Sequence, residues 1–414
     1  MIEVNSYTLE NGLRLLHHKD ATTRMVALNL LYKVGARDED PEKTGYAHLF
    51  EHLMFSGSAN SESFDEPLQA AGGESNAWTS NDMTNYYDII PAHNIETAFW
   101  LESDRLLQLS LTEKKFEAQK SVVIEEFKQR CLNTPYGDVG HIIRENAYTV
   151  HPYRWPVIGR STDVIASATL DDARDFFNGH YSTDNLILCV SGNVDFGRAI
   201  ELTEKWFGDI ERRNIMRKQL PMEPMQTAPR KVVVERDVPK NMILKAYHMC
   251  GRMDKDYQTC DIISDILANG NSARFFRNVL MRSDVFSSLD ASIGGSADPG
   301  LFYIRGYLRD GVSYDAGNEK ILEELDAFLC EGASDYEIAK YVNKLDSREQ
   351  FENISYLEKA TKLCSYEFFS CADDINKESG KYNAITSDDI SRVAREMLSE
   401  NNCTTLFYGK RERS

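Results

Sequence analysis

Apolar and polar positions along the chain change spacing several times, and each change marks an element boundary. The run "MVALNLLYKVG", residues 25–35, is rich in strand formers and stops at Gly35 and a charged stretch, which predicts a strand; helical spacing begins at about Thr44. "AAGGESNAWTSNDMTNYYDIIP" returns to glycine punctuation and to β-branched and aromatic residues. "IETAFWLESDRLLQL" has the spacing of an amphipathic helix, and another helix is predicted over about 113–130. Beyond an irregular segment containing "HPYRWPVIG", the stretch "TLDDARDFFNGHYSTDNLILCVSGNV" reads as capped helix, turn and strand. The start, "MIEVNSYTLENGLRLLHH", alternates like a strand leading to an Asn-Gly turn.

Periodicity breaks down over "ERRNIMRKQLPMEPMQTAPRK", where charges mix with three prolines, and this is the best linker in the chain. It divides the sequence into domains at 1–210 and 232–414 joined by residues 211–231. The two sides echo each other. "MVALNLLYKVG" and "MILKAYHMCG" are each followed by helical spacing, and "LILCVSGNV" and "TTLFYGK" each follow a helix. The expected fold is α+β, with two homologous domains of mixed or antiparallel sheet covered by packed helices.

Composition narrows the function. A chain of 414 residues, 42% hydrophobic and 27% charged, is long enough for two or more cores. With 47 Lys and Arg against 65 Asp and Glu, the formal charge is -18, which opposes nucleic acid as a partner and favours basic or unselective ones. The eight cysteines are scattered without a Cys-x-x-Cys pair and read as reduced packing residues. No secretory leader and no run of about twenty apolar residues is present, so a cytoplasmic protein without a membrane partner is expected, or a periplasmic one whose leader has been removed.

The chemistry concentrates in "GYAHLFEHLMFSG". On a helix His48 and His52 share one side and Glu51 lies close beside them, so two imidazoles can hold one ion while the carboxylate reaches a water. Zn2+ suits neutral imidazoles plus a carboxylate and leaves a position for water. In that arrangement Glu51 is the general base, and the order His-x-x-Glu-His is the inverzincin pattern. A third ligand must come from elsewhere. "FEAQKSVVIEEFKQR" offers Glu125 and Glu126; the helical wheel favours Glu126 and leaves Glu125 as a neighbour or alternative. Asp82, Glu74 and Gln119 are candidate acceptors for a ligand histidine's second ring proton.

"HLFEHLMFSGSAN", then "GGESNAWTSNDMTNYY", then "QKSVVIEEFKQRCLNTPYG" together resemble the pitrilysin family of inverted-motif zinc metallopeptidases, especially its half-sized bacterial and mitochondrial-processing-like members. The resemblance spans nearly the whole chain. It implies His48, His52 and Glu126 as zinc ligands and Glu51 as catalytic base. It further implies that "SNAWT" is an exposed strand edge, where Asn76 and Ala77 align an extended peptide through backbone hydrogen bonds. Active assemblies of the family also use an Arg and a Tyr from the opposing half. Here "RFFRNVLMRSDVFSSLDA" offers Arg274, Arg277 and Arg282, with Arg274 and Arg282 as candidate substrate contacts, but Ser287 and Ser288 stand where the tyrosine is expected. The resemblance thus implies a zinc-bearing chain whose partner is a homologous subunit in a heterodimer, with a homodimer as the alternative.

The implied activity is a zinc endopeptidase acting on short or unfolded peptides in a two-chain chamber. The competing reading is a noncatalytic peptide-binding or assembly subunit. Blander readings apply elsewhere: His17 and His18 face opposite sides of a strand and read as surface residues, and His151 reads as packing among Pro152, Tyr153 and Trp155.

Overall fold

In the computed structural model, which describes residues 1–410, the strands form two sheets. The first uses β1 (Asn5–Thr8), β2 (Arg14–Lys19), β3 (Met25–Tyr32), β4 (Glu74–Thr79), β5 (Thr84–Pro91) and β6 (Leu186–Gly192), in the order β1-β2-β6-β3-β5-β4. The second uses β7 (Arg230–Arg236), β8 (Met242–His248), β9 (Phe286–Gly294), β10 (Leu301–Leu308) and β11 (Cys403–Lys410), in the order β7-β11-β8-β10-β9. In each sheet one pair is parallel, β2 with β6 and β7 with β11, and the other pairs are antiparallel. Removing β1 therefore makes the sheets identical in chain order and direction. The expected pair of homologous mixed-sheet domains with packed helices is what forms.

The duplication extends to hydrogen bonds. After β3 the Gly35 N–H donates to Asp38 at 2.9 Å, and after β8 the Gly251 N–H donates to Asp254 at 2.9 Å. A helix follows each turn, Tyr46–Leu53 in the first unit and Tyr257–Ala268 in the second, and both leading tyrosines are buried. Aligning those tyrosines places Thr259, Ile262 and Ile263 at the positions of His48, Glu51 and His52. The second copy has an apolar helix where the first has its polar motif.

The units are not consecutive in sequence. One comprises residues 1–130, 155–220 and 349–377; the other comprises 131–154, 221–348 and 378–414. The chain crosses at 220/221, inside the 211–231 segment, and residues 211–227 carry no regular element. The other exchanges, at 131–154 and 349–377, lie outside a simple division at that segment.

In the first unit the helix Tyr356–Phe369 lays Ala360, Leu363 and Cys364 on Leu16, Ala27, Leu31, Ile187 and Cys189 of the sheet. The opposite face carries Phe50, packed on Phe176, Phe177 and Tyr181. Burial on both faces explains why "MVALNLLY" is apolar nearly throughout instead of alternating. In the second unit Ile243, Ile304 and Phe407 pack with Ile262, Ile263 and Ile266, while Met242, Leu244 and Leu406 meet Val139 and Ile143.

The surface reading of His17 is wrong. Its side chain is buried, with Nε2 at 2.8 Å from the Val194 carbonyl, because β2 is an interior strand paired with both β1 and β6. His18 is only partly covered and meets the Glu3 carbonyl at 2.9 Å. His151 is buried against Tyr153, as the packing reading expects. All eight cysteines are free. Among the described residues no helix is long and apolar enough to cross a membrane.

Candidate metal centre

The helix Tyr46–Leu53 follows β3 closely and is anchored through Tyr46, Ala47, Leu49, Phe50 and Leu53, all buried. With those positions committed to the core, His48, Glu51 and His52 project together on the other side. The helix Glu113–Phe127 starts at Thr112, whose hydroxyl accepts from the Lys115 N–H, and buries Phe116, Val123 and Phe127. That face directs Glu126 inward, whereas Glu125 is largely exposed and pairs with Lys128 at 2.6 Å. The wheel's preference between the two adjacent glutamates matches this geometry.

Nε2 of His48 lies 3.7 Å from one Glu126 oxygen, and Nε2 of His52 lies 3.3 Å from the other. One donor atom from each of the three residues falls within 4.8 Å of the others. Among the described residues this is the sole such group of three. Burial, with the neighbouring His52 and Arg130, pushes the His48 pKa down to about 3, so its imidazole is neutral near pH 7 and its ring nitrogen is free to ligate. Two imidazoles and a carboxylate converging in this way are the donor set of a catalytic-type metal site, and they fit zinc. The His48 Nδ1 atom is buried with no hydrogen-bond partner among the described residues, so none of Asp82, Glu74 or Gln119 takes its proton. Asp82 instead pairs with Arg37 at 3.1 Å.

Glu51 stands beside this cluster. Its Oε2 accepts a hydrogen bond from the Thr79 hydroxyl at 2.5 Å, and burial raises its carboxyl pKa despite that bond. Thr79 is the last residue of β4, and β4 is one of the two edge strands of its sheet. Asn76 and Ala77 occupy that edge strand, opposite Tyr87 and Tyr86 of β5. The Ala77 N–H is held by the Asn76 side-chain oxygen at 2.8 Å, on exposed surface.

Sequence reasoning missed two residues at the site. Thr79 lies two positions after Ala77 in "SNAWTS", and the period of two in a strand was the available signal. Arg130 lies four after Glu126 on the helical continuation and reaches back to Glu126 Oε1 at 3.0 Å. Arg274 and Arg282 belong to the other unit and line a surface cavity of about 760 Å³ together with Arg277, Glu324 and Lys340. The Arg274 guanidinium is committed to Glu337, Glu331 and the Gly332 carbonyl; Arg282 is exposed. Ser287 and Ser288 lie on β9, one of the two edge strands of the second sheet.

Residues 14–157 match the family described as insulinase (peptidase family M16), and residues 167–345 match the peptidase M16 inactive domain. The chain is 28% identical to the zinc protease PqqE of Helicobacter pylori over 97% of this chain and 92% of that protein. A crystal structure of a protease from Helicobacter pylori superposes with a TM-score of 0.92 at 27% identity, covering 99% of this chain and 100% of the other. Pitrilysin shares the fold at a TM-score of 0.79 and 16% identity, over 99% of this chain and 45% of its own. The two matched segments together take in most of the chain, and the cluster lies in the segment matched to the insulinase description. With that cluster in the segment matched to insulinase, the chain has the two-domain M16, or pitrilysin-type, zinc-peptidase fold and the metal-binding residues of a zinc metalloendopeptidase.

Proposed function

We propose that the protein cuts short or unfolded peptides held in extended form along β4, with Glu51 as general base and a homologous second chain completing the assembly. The observation that carries this reading is the convergence of His48, His52 and Glu126 beside a glutamate tied to the edge strand by Thr79. Zn2+ held by those three residues would supply a Lewis acid that polarises the scissile carbonyl and acidifies water. Thr79 holds Glu51 Oε2, leaving Oε1 to take a proton from the attacking water and return it to the departing amine. A carboxyl whose pKa is raised by burial is suited to both transfers.

The edge strand supplies the alignment. An extended peptide added beside β4 would offer a carbonyl to the Ala77 N–H in place of the Asn76 amide, so Asn76 and Ala77 act through backbone geometry and need no side-chain chemistry. The acidic chain favours basic or unselective peptide segments over polyanions.

The second chain is inferred from what this one lacks. Serines at 287 and 288 remove the tyrosine that would steady a developing oxyanion, and such a donor contributes about 3 kcal/mol or more. Of the two candidate substrate-contacting arginines, Arg282 is exposed, whereas Arg274 is paired with Glu337 and Glu331. The match to less than half of pitrilysin's length supports a second chain of the same fold, a homologous subunit in a heterodimer or, as the alternative, a second copy of this chain.

The test is zinc stoichiometry and cleavage of unstructured peptides by the chain alone and mixed with homologous subunits, repeated with Glu51→Gln. Bound zinc with turnover abolished is expected for Glu51→Gln, and turnover in the unmodified protein is expected to rise on pairing. Unchanged cleavage in Glu51→Gln would refute the base; equal activity alone and in every pairing would refute the heterodimer.

A further inference from the structure

A two-turn helix positions its ligands only as well as the helix itself is held. Tyr46–Leu53 has eight residues, too few for independent stability, and its first N–H groups have no partner within the helix. The preceding residue is Gly45, which has no side chain to cap it and adopts left-handed backbone with φ 91°.

The cap comes from outside the helix. Glu39, buried in the turn after β3, accepts from the Gly45 N–H through Oε2 and from the Ala47 N–H through Oε1, each at 2.9 Å. Both oxygens of one carboxylate thus grip the first turn, and Ala47 directly precedes His48. Trp155, also buried, lies against the same carboxylate and donates its Nε1–H to the Ala36 carbonyl at 2.9 Å. The segment that follows it locks the entry to the helix. A Cβ on Gly45 would meet the Ile158 carbonyl at 3.0 Å and Gly159 Cα at 3.1 Å, and a Cβ on Gly159 would meet the Thr44 carbonyl at 2.9 Å. The Arg160 N–H donates to the Thr44 hydroxyl at 3.0 Å. "WPVIGR" is therefore a backbone clamp on the start of the metal-site helix.

An ordinary Ser, Thr or Asp cap would satisfy one N–H at the surface for little cost. A carboxylate buried here is expensive, and burial raises the Glu39 pKa to about 8 against the pull of its N–H donors. What the costlier arrangement adds is a two-point attachment, which fixes the rotation of the helix as well as its end.

We infer that Glu39 is a positioning residue for the metal centre: its bidentate grip on the Gly45 and Ala47 N–H groups sets the direction in which His48 and His52 present their nitrogens. This rests on the metal reading of the site. Glu39→Gln keeps the size but puts an amide NH2 where a carboxyl oxygen accepts an N–H; Glu39→Asp keeps the carboxyl group but is too short for both bonds. The experiment loads the full chain with zinc or with Co(II) and measures zinc affinity by chelator competition, the Co(II) visible spectrum, and kcat and KM on an unstructured fluorogenic peptide. Glu39→Gln should bind zinc about tenfold more weakly, the scale seen when a residue supporting metal ligands is removed. Its Co(II) band should change, and kcat should fall with KM little altered, while far-UV circular dichroism matches the unmodified protein. Zinc affinity and a Co(II) spectrum equal to those of the unmodified protein would overturn the inference. Should Glu39→Gln not fold, Glu39→Asp decides: an altered Co(II) band supports the role, and an unaltered one refutes it. Failure of the unmodified protein itself to bind zinc or Co(II) would instead refute the metal reading.

Discussion

Each residue of the centre is shaped by a neighbour that the motif does not contain. Glu126 is shared between the two histidines and Arg130, whose guanidinium neutralises the carboxylate from its solvent side. Glu51 is aimed by Thr79. A hydrogen bond to a carboxylate is worth roughly 1.5–3 kcal/mol, so Thr79→Val, which removes the hydroxyl at nearly constant volume, should lower kcat by about tenfold or more. Zinc affinity and KM should stay close to those of the unmodified protein, because the three ligands are untouched. A kcat within twofold of the unmodified value would show that Glu51 is oriented by something else. His48, Glu51, His52 and Glu126 were legible because helical spacing places them and their chemistry is distinctive. Thr79 and Arg130 were not, since a threonine ending a strand and an arginine on an exposed turn are ordinary until the partner is seen. Glu39 was hidden more deeply, because its partners are backbone N–H groups, which leave no mark in the sequence.

Elements were easier to read where one of their faces is exposed. The helix Leu170–His180, with its Thr169–Asp172 capping box, and the helix Ile95–Leu107 lie where spacing placed them. The helix predicted to Arg130 ends its α-helical part at Phe127 and continues as a π-helical turn, Lys128–Leu132, a change in hydrogen-bond register that spacing does not report. His17 misled for a related reason: strand alternation distinguishes two faces but not which of them is solvated, and β2 lies inside its sheet. The helix Tyr356–Phe369 is joined to the β2–β3 turn by Lys359, whose ammonium lies 2.8 Å from Asp20 with both side chains well covered. The bond from Lys359 brings the Asp20 pKa down from 3.8 to about 2. Between those values the unfolded chain binds the proton that the folded chain refuses, so this stabilisation is complete above about pH 4 and is lost as pH falls toward 2. Asp20→Asn should therefore be less stable to urea at pH 7, and the difference should shrink steadily on acidification through that window. A difference independent of pH would mean that Asp20 acts through packing and not through its charge.

At the scale of the whole chain, duplication and discontinuity pull in different directions. The repeated order of strands made the two-domain plan legible, because each copy reproduces the same succession of strand and helix. The exchanged segments were not legible, since residues 349–377 have ordinary helical spacing and nothing in it says which sheet they cover. Their placement has a physical consequence. A fragment of residues 1–210 contains β1 to β6 and every residue of the metal centre, yet lacks the helix that covers Leu16, Ala27, Leu31, Ile187 and Cys189. These side chains are almost completely buried in the intact protein, and at about 25 cal/mol per Å² of exposed apolar surface their uncovering costs several kcal/mol, comparable to the stability of a domain. The fragment should aggregate, or bind a hydrophobic dye and give a broad thermal transition, and it should hold zinc poorly. Co-expression with residues 349–377 should sharpen the transition and restore zinc binding, because that helix covers the sheet again, whereas residues 131–154, whose Val139 and Ile143 pack on the second sheet, stay uncovered with and without it. A soluble, cooperatively folding 1–210 fragment that binds zinc as the full chain does would show that the helix Tyr356–Phe369 is dispensable to the sheet that carries the metal centre.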